Sequence, residues 1–97
     1  MSTLTFTRDL SRTTLAPPLR QALFTKAPDH RFLVRELRLH QDAATGEYVI
    51  RLADRINGTE SGDDAEQRVA VELDAFRAFF QLVGQYTGLP GWKRRAP

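Results

Sequence analysis

Arginine offers this sequence its clearest capacity for chemistry, because a planar guanidinium binds phosphate or carboxylate through paired hydrogen bonds. Arg51 and Arg55 share the parity opposite the apolar residues of a predicted strand, and Arg68 has the matching position in a later strand. Arg31 and Arg35 lie on a neighbouring predicted strand. We therefore predict a basic sheet face that binds nucleic-acid phosphates. Three cations near the C-terminus would add to it: Lys93, Arg94 and Arg95.

Two features bear on this prediction in opposite directions. Phe32 and Tyr48 are aromatic residues within reach of the predicted face, where they could stack on unpaired bases. Alternatively, the arginines pair with acids across the strands, at ~0.2–1 kcal/mol per pair and with no function. The acids available for such pairs are Glu36, Glu47, Asp54 and Glu72.

Other kinds of chemistry have little support. His30 and His40 are the two histidines, and neither has a neighbouring carboxylate pattern that would orient its imidazole. The chain has no cysteine, which excludes disulfides and thiolate metal sites. No nucleophile elbow or phosphate-binding glycine loop occurs, and the acidic segment 57–66 does not match an EF-hand loop. We predict a non-enzymatic protein with no cofactor, no metal and no catalytic residue.

Composition indicates one soluble domain spanning residues 1–97, with 41% hydrophobic and 27% charged residues. The net charge of +2 conceals a segregation along the chain. Residues 1–40 carry seven cationic and three acidic residues (+4), residues 41–76 three and nine (−6), and residues 77–97 four and none (+4). No apolar run is typical of a signal peptide or a membrane span, so we expect a cytoplasmic protein without a membrane partner.

The hydrophobic period predicts the central elements. Residues 32–39 and 47–56 read as an antiparallel hairpin joined by a turn over 41–46. The acidic segment 57–66 opens with Asn-Gly and is predicted to be an exposed loop. A strand through Val69, Val71 and Leu73 then runs into a long helix, with Asp74 as its N-cap and Gly88 in the left-handed position after it.

The two ends of the chain complete the predicted fold. Prolines followed by Leu19 and Leu23 predict a short helix over residues 17–25. Residues 1–15 are predicted to be a flexible arm or an edge strand, and residues 91–97 a basic tail that is flexible at its tip. The predicted fold is α+β, with an antiparallel sheet of three or four strands, a long C-terminal amphipathic helix and a short N-terminal helix.

The predicted C-terminal helix is more apolar than one small sheet requires. A second copy of the chain or another protein could cover the excess, and so could the predicted N-terminal helix. The chain would then be a homodimer or an accessory subunit that docks on a partner protein. The predicted interface residues are Phe76, Phe79, Phe80, Val83, Tyr86 and Trp92.

The order of these elements resembles a known family. A basic strand at residues 31–37, a second strand at 48–52, an acidic loop and the strand-to-helix run 69–83 are similar to PC4-like transcriptional coactivators of the Whirly-type single-stranded-DNA-binding superfamily. The similarity covers about residues 30–88. It implies a curved antiparallel sheet leading into a helix, a homodimer packed through the C-terminal helices, and strand arginines facing a polynucleotide.

Overall fold

The architecture is one antiparallel sheet with a single helix packed on it. A computed structural model describes residues 6–7, 15–26, 33–56, 59–60 and 64–95. The elements in chain order are β1 (Arg20–Lys26), β2 (Leu33–Gln41), β3 (Tyr48–Ile56), β4 (Thr59–Glu60), β5 (Ala65–Val69), α1 (Glu72–Thr87) and β6 (Lys93–Arg95). The α+β class with a long C-terminal helix is therefore confirmed.

The strand order is β4-β3-β2-β1-β6, and β5 also pairs with β3. Two-residue β4 pairs with the end of β3 at Arg55 and Ile56, whereas β5 pairs with β3 between Tyr48 and Leu52. The sheet thus has more strands than the three or four predicted. The additional strands come from both ends of the chain and from the acidic segment, which contains β4 and the start of β5 rather than only a loop. The predicted Asn-Gly turn at 57–58 lies outside the described residues.

The β2–β3 hairpin follows the predicted pattern. Nine residue pairs join the two strands, with Leu37 opposite Leu52 and Leu39 opposite Ile50. The buried side chains of Leu37, Leu39 and Ile50 belong to the core. The turn between the strands ends at Gly46, whose φ of 76° suits glycine. The alternation of residues 32–39 is imperfect, because Arg35 shares the parity of Leu37 and Leu39, but the pairing with β3 is continuous. The regular alternation of β3 and the glycine turn determine this hairpin.

The predicted helix over residues 17–25 is wrong, because β1 occupies most of that segment. β1 forms seven antiparallel pairs with β2. It sends Ala22 and Phe24 into the core, with exposed fractions of 3% and 0%. So short a helix is marginally stable by itself, whereas the strand gains a full hydrogen-bond ladder and buries an aromatic ring.

The junction between the last long strand and the helix was also placed too late. β5 ends at Val69 and α1 begins at Glu72, so Val71 and Leu73 are 54% and 57% exposed instead of pointing inward. Val71 is the N-cap and makes no side-chain capping bond, so Asp74 is not the cap. Both acids of the first turn still oppose the positive end of the helix dipole.

Residues 93–95 of the predicted basic tail form a strand, and the tip of the tail, residues 96–97, lies outside the described residues. β6 pairs with β1, placing Lys93 opposite Thr25 and Arg94 opposite Phe24. Gly88 has a φ of −83°, so it does not adopt the predicted left-handed conformation. That conformation occurs at Gly91, with a φ of 83°, where the chain turns back toward the sheet.

The core lies between α1 and one face of the sheet. α1 contributes its buried residues Ala75, Ala78, Phe79, Leu82 and Val83. They pack against Phe24 and the leucines and isoleucine of the hairpin. Tyr86 closes the end of this core by an edge contact with Phe24, at 5.6 Å between ring centroids. Among the described helices none is long and apolar enough to cross a membrane.

Two adjacent phenylalanines test this core. Phe79 is 2% exposed, whereas Phe80 is 54% exposed and meets the Phe79 ring edge-on at 5.7 Å. Phe79→Ala should lower the free energy of unfolding by about 3–5 kcal/mol, and Phe80→Ala by less than about 1 kcal/mol, in urea titrations of each variant. Equal losses in the two variants would contradict the orientation of α1.

Candidate functional site

The predicted arginine row is divided between the two faces of the sheet. Arg51, Arg55 and Arg68 lie on the face away from α1, as predicted, because their strand positions alternate with those of core residues. Arg35 shares the parity of Leu37 and faces the helix instead. Arg31 and the stacking candidate Phe32 lie outside the described residues. No continuous row therefore forms from the described members of the set.

Arg35 fastens the helix to the sheet. Its Nε and Nη2 donate to the two carboxylate oxygens of Asp54, both at 2.8 Å. The guanidinium carbon lies 4.9 Å from the ring centroid of Tyr86 and 4.8 Å from that of Trp92. The hydrogen bonds to Asp54 raise the pKa of Arg35 above its already high ordinary value, so the side chain stays cationic. Its donors and its flat surface are used within the fold.

Acids also meet the arginines on the opposite face. Arg68 lies 3.0 Å from Asp42, 3.3 Å from Glu47 and 3.5 Å from Glu66, measured between nitrogen and carboxylate oxygen. Arg51 lies 3.5 Å from the same Glu66. The alternative interpretation, in which arginines pair with acids across strands, therefore holds for this face. The face is close to neutral and offers no broad track for a polyanion.

The other acids that were predicted to pair with arginines also have partners within the fold. Glu36 lies 3.6 Å from Arg55, and Asp54 holds Arg35 as described. Glu72 instead accepts a hydrogen bond from the Tyr48 hydroxyl at 3.1 Å, which ties the start of α1 to β3. Burial raises the pKa of Tyr48, and this bond to a carboxylate raises it further. Tyr48 therefore serves the helix junction.

Asp42 is a fully buried carboxylate at the end of β2. Burial alone would raise its pKa, but hydrogen bonds from the Ala44 N–H, Arg68 and Thr45 outweigh burial and hold the pKa of Asp42 below its ordinary value. The bonds from Ala44 and Arg68 measure 2.9 and 3.0 Å. In turn, the hydrogen bond to Asp42 raises the pKa of Arg68. The ionised pair fixes the turn and β5 together.

Unpaired positive charge is concentrated at the edge made by β1 and β6. Residues 15–26 and 88–95 together contain five Lys or Arg residues and no Asp or Glu. Arg20, Lys93 and Arg94 are exposed, and Lys26 and Trp92 are partly buried. We call these five residues the basic edge. Of the surfaces that the structure describes, it is the one whose cations have no acid near them in the sequence.

Local geometry places Trp92 within the basic edge. Gly91, at its positive φ, turns the chain so tightly that an added Cβ would lie 3.3 Å from the Lys26 side chain. The Lys26 ammonium lies 5.9 Å from the centroid of the Trp92 ring. Arg20 lies 5.6 Å above Phe76. Cations and aromatic rings are thus interleaved along this edge.

Sequence reasoning found only part of this surface. It included Lys93, Arg94 and Arg95 but missed Arg20 and Lys26, because it assigned their segment to a helix. The absence of acids from both segments was visible in the sequence. What could not be read there is that β6 returns to pair with β1.

The predicted partner interface is mostly internal. Phe79 and Val83 are buried, whereas Phe76, Tyr86 and Trp92 are partly buried against the core. Phe80 alone among the six predicted residues is exposed. A different set lines the outside of α1 and its start. We call it the outer stripe, and its members are Val71, Leu73, Arg77, Phe80 and Gly84, all exposed.

No group of three or more potential metal ligands gathers within the described ranges of the chain. No protein-family model, curated protein or solved structure matches the chain. Its function must therefore be inferred from its surfaces.

Asp42→Asn should change the acid side of the stability profile. Because the folded-state pKa of Asp42 is lowered, its carboxylate stabilises the fold fully above the unfolded-state pKa of about 3.9. This stabilisation is lost as the pH falls through the lower folded-state pKa. We expect the wild-type chain to exceed the variant in free energy of unfolding at neutral pH, and the difference to shrink below about pH 4, in urea titrations at each pH. A difference independent of pH would contradict the ionised pair.

Proposed function

We propose that this chain is a non-enzymatic nucleic-acid-binding module that contacts single-stranded DNA or RNA through the basic edge. The observation that supports it most directly is that residues 15–26 and 88–95 contain five cations and no acid. Four of these cations belong to the basic edge. Phosphate contacts by Lys and Arg supply most of the affinity of nonspecific nucleic-acid binding. The resemblance to PC4-like coactivators is a separate prediction that points to the same ligand class.

The contact surface differs from the one predicted from strand parity. Arg35 and Arg68 are engaged by acids at 2.8 and 3.0 Å, so a phosphate would have to displace a carboxylate at close range. Lys93 and Arg94 lie on an exposed edge strand where no acid stands within the same segment. The basic edge therefore gains more from a bound phosphate than the paired arginines Arg35 and Arg68 do.

Trp92 gives the basic edge a means of binding bases. Single-stranded nucleic acids bind to surfaces that combine cations for the backbone with aromatic rings for unpaired bases. Trp92 is only partly buried, its ring lies 5.9 Å from the Lys26 ammonium, and it directly precedes the exposed cations of β6 in the chain. The arrangement favours a single strand over a duplex, because duplex bases are already stacked.

Fluorescence anisotropy with a labelled oligothymidine across a salt series tests this proposal. Arg94→Gln should weaken binding and reduce the slope of log K against log salt by about 0.7, because one phosphate contact to a single strand is lost. Arg77→Gln is the matched control, since Arg77 is an exposed arginine of α1 outside the basic edge. Its binding should equal that of the wild-type chain.

Trp92 provides an independent readout, because it is the single tryptophan of the chain. A stacked base should quench its fluorescence, and the quenching should saturate at the same oligonucleotide concentration as the anisotropy. No binding at low salt, or equal effects of Arg94→Gln and Arg77→Gln, would refute the proposed surface.

A second candidate function, self-association, is favoured by the outer stripe. Leu73 and Phe80 are seven residues apart, so they lie on one side of α1, and their exposed fractions are 57% and 54%. Gly84 follows Phe80 by one turn, and a Cβ there would meet nothing within 4 Å. The fold itself therefore does not require glycine, which costs roughly 1 kcal/mol within a helix. A close approach by another helix would explain it.

Charge favours an antiparallel over a parallel arrangement of two copies. The first turn of α1 carries Glu72 and Asp74, and its last turn has no charged residue of either sign to offset them. Antiparallel pairing about a two-fold axis near Phe80 keeps the acidic first turns of the two copies at opposite ends of the interface, whereas parallel pairing would bring these like charges together. The same pairing places Arg77 of one copy near Gly84 of the other.

Sedimentation velocity over a concentration series tests self-association. Phe80→Lys should weaken a dimer by ~3 kcal/mol or more, since each copy loses the burial of a ring worth about 1.5–3 kcal/mol. Gln85→Lys adds the same charge on an exposed position away from the outer stripe, and it should leave the dimer intact. A wild-type chain that stays monomeric at high concentration would refute this candidate without affecting the first.

A further inference from the structure

Two arginines stand directly opposite each other on the sheet face away from α1. The register of β2 and β3 pairs Arg38 with Arg51. Side chains at directly opposite positions have Cβ atoms about 4.5–5.5 Å apart, and like charges there destabilise the sheet. Arg55 lies on the same face of β3, four residues from Arg51. The sheet thus keeps three guanidiniums close together, two of them in an unfavourable pairing.

Arg51 pairs with Glu66 on β5, at 3.5 Å, whereas the acid near Arg38 and Arg55 does not use all of the donors of those two side chains. Arg38 contacts the buried carboxylate of Glu36 through Nε at 2.9 Å and Nη2 at 3.1 Å, and Arg55 Nη1 lies 3.6 Å from it. Gln21 also donates to Glu36, at 3.1 Å. A guanidinium carries about five N–H donors, whereas a carboxylate has about four acceptor positions. Two arginines that share one carboxylate therefore retain donors and a positive charge.

These donors face a groove with a volume of about 330 Å³. Pockets of this order hold small ligands. Arg38, Arg51 and Arg55 line it together with Glu36 and Asp64. Its apolar wall consists of Leu15, Leu52, Ala53 and Ala65.

The segment before β1 completes the groove. The Ala16 N–H donates to the Gln41 carbonyl at 3.0 Å, and His40 Nδ1 contacts the Ala16 carbonyl at 2.9 Å. Leu15, bridged to Asp42, is thereby held beside the arginines. The groove is thus built by tertiary contacts and is bounded on one side. A bounded groove suits a small molecule better than a passing polymer.

We propose that this groove, the arginine groove, binds the phosphate of a small phosphate ester. A dianionic phosphate has three terminal oxygens to accept bonds from the remaining donors of Arg38 and Arg55, and its charge would relieve the repulsion between Arg38 and Arg51. A carboxylate has fewer oxygens and half the charge, so it satisfies these donors less well. This site is separate from the basic edge and does not depend on the proposed nucleic-acid binding.

Asp64 indicates the rest of the ligand. Its Oδ1 is buried and has no hydrogen-bond donor among the described residues, although the side chain lines the groove. An unsatisfied buried acceptor calls for a donor. An ammonium or hydroxyl group on the ester, a short distance from the phosphate, would supply it. The ligand class is therefore a small phosphate ester that also carries a donor group.

Isothermal titration calorimetry with inorganic phosphate, at an ionic strength held constant with sodium chloride, tests the phosphate site. The wild-type chain should bind phosphate more tightly than acetate, and Arg38→Gln and Arg55→Gln should each weaken phosphate binding about tenfold. Arg77→Gln, on α1 and outside both the groove and the basic edge, should leave it unchanged, and Arg94→Gln reports any phosphate binding at the basic edge. Circular dichroism melting establishes that each variant is folded, and the two substitutions lie on different strands, so both need not fail together.

Each result of these titrations decides for or against the proposed phosphate site. No phosphate binding above that of acetate overturns the proposal. Binding lost in Arg94→Gln but kept in Arg38→Gln places the anion on the basic edge and also overturns it. Phosphoethanolamine should bind more tightly than ethyl phosphate to the wild-type chain, and Asp64→Asn should remove that difference. Equal binding of these two esters to the wild-type chain would overturn the role of Asp64.

Discussion

The buried carboxylate of Asp42 is the constraint on which the charged sheet face, the face away from α1, depends. It accepts from the Ala44 N–H in the β2–β3 turn and from Arg68 on β5, and its backbone is bridged to Leu15 ahead of β1. Three parts of the chain, distant in sequence, are thereby joined at one ionised group. A buried carboxylate is tolerated only when its oxygens are satisfied, so Arg68 cannot be released to a ligand without loss of stability.

Local pattern was sufficient where an element and its partner are adjacent in sequence. The hairpin of β2 and β3 could be predicted because a run rich in strand formers, a glycine turn and a regularly alternating run lie within one continuous segment. β1 could not, since Leu19 and Leu23 also fit helical spacing, and what decides between the two is the ladder offered by β2. The junction near Val71 failed for a related reason. Alternation continues past Val69, but pairing with β3 ends there.

The candidate surfaces, too, could be predicted only where they do not depend on pairing between strands. Parity placed Arg51, Arg55 and Arg68 on one face correctly, yet it could not show that acids meet them, because ion pairs depend on register between strands. Parity also placed Arg35 with the helix-facing Leu37, and only the position of Asp54 across the hairpin makes an inward arginine acceptable. Charge blocks along the chain predicted cations near both ends. Their union in the basic edge depends on β6 pairing with β1.

The basic edge and the arginine groove differ in what a bound anion would change around the cations. On the proposed basic edge Arg94 is exposed, so a phosphate would displace no carboxylate there, and its affinity would depend on salt and be shared among several cations. In the arginine groove the register of the hairpin forces Arg38 and Arg51 together, and an anion removes a repulsion that the fold already contains. The register cannot shift to separate them, because a slip of one residue would move Leu37 and Leu39 out of the core. The core thus keeps Arg38 and Arg51 side by side in the groove.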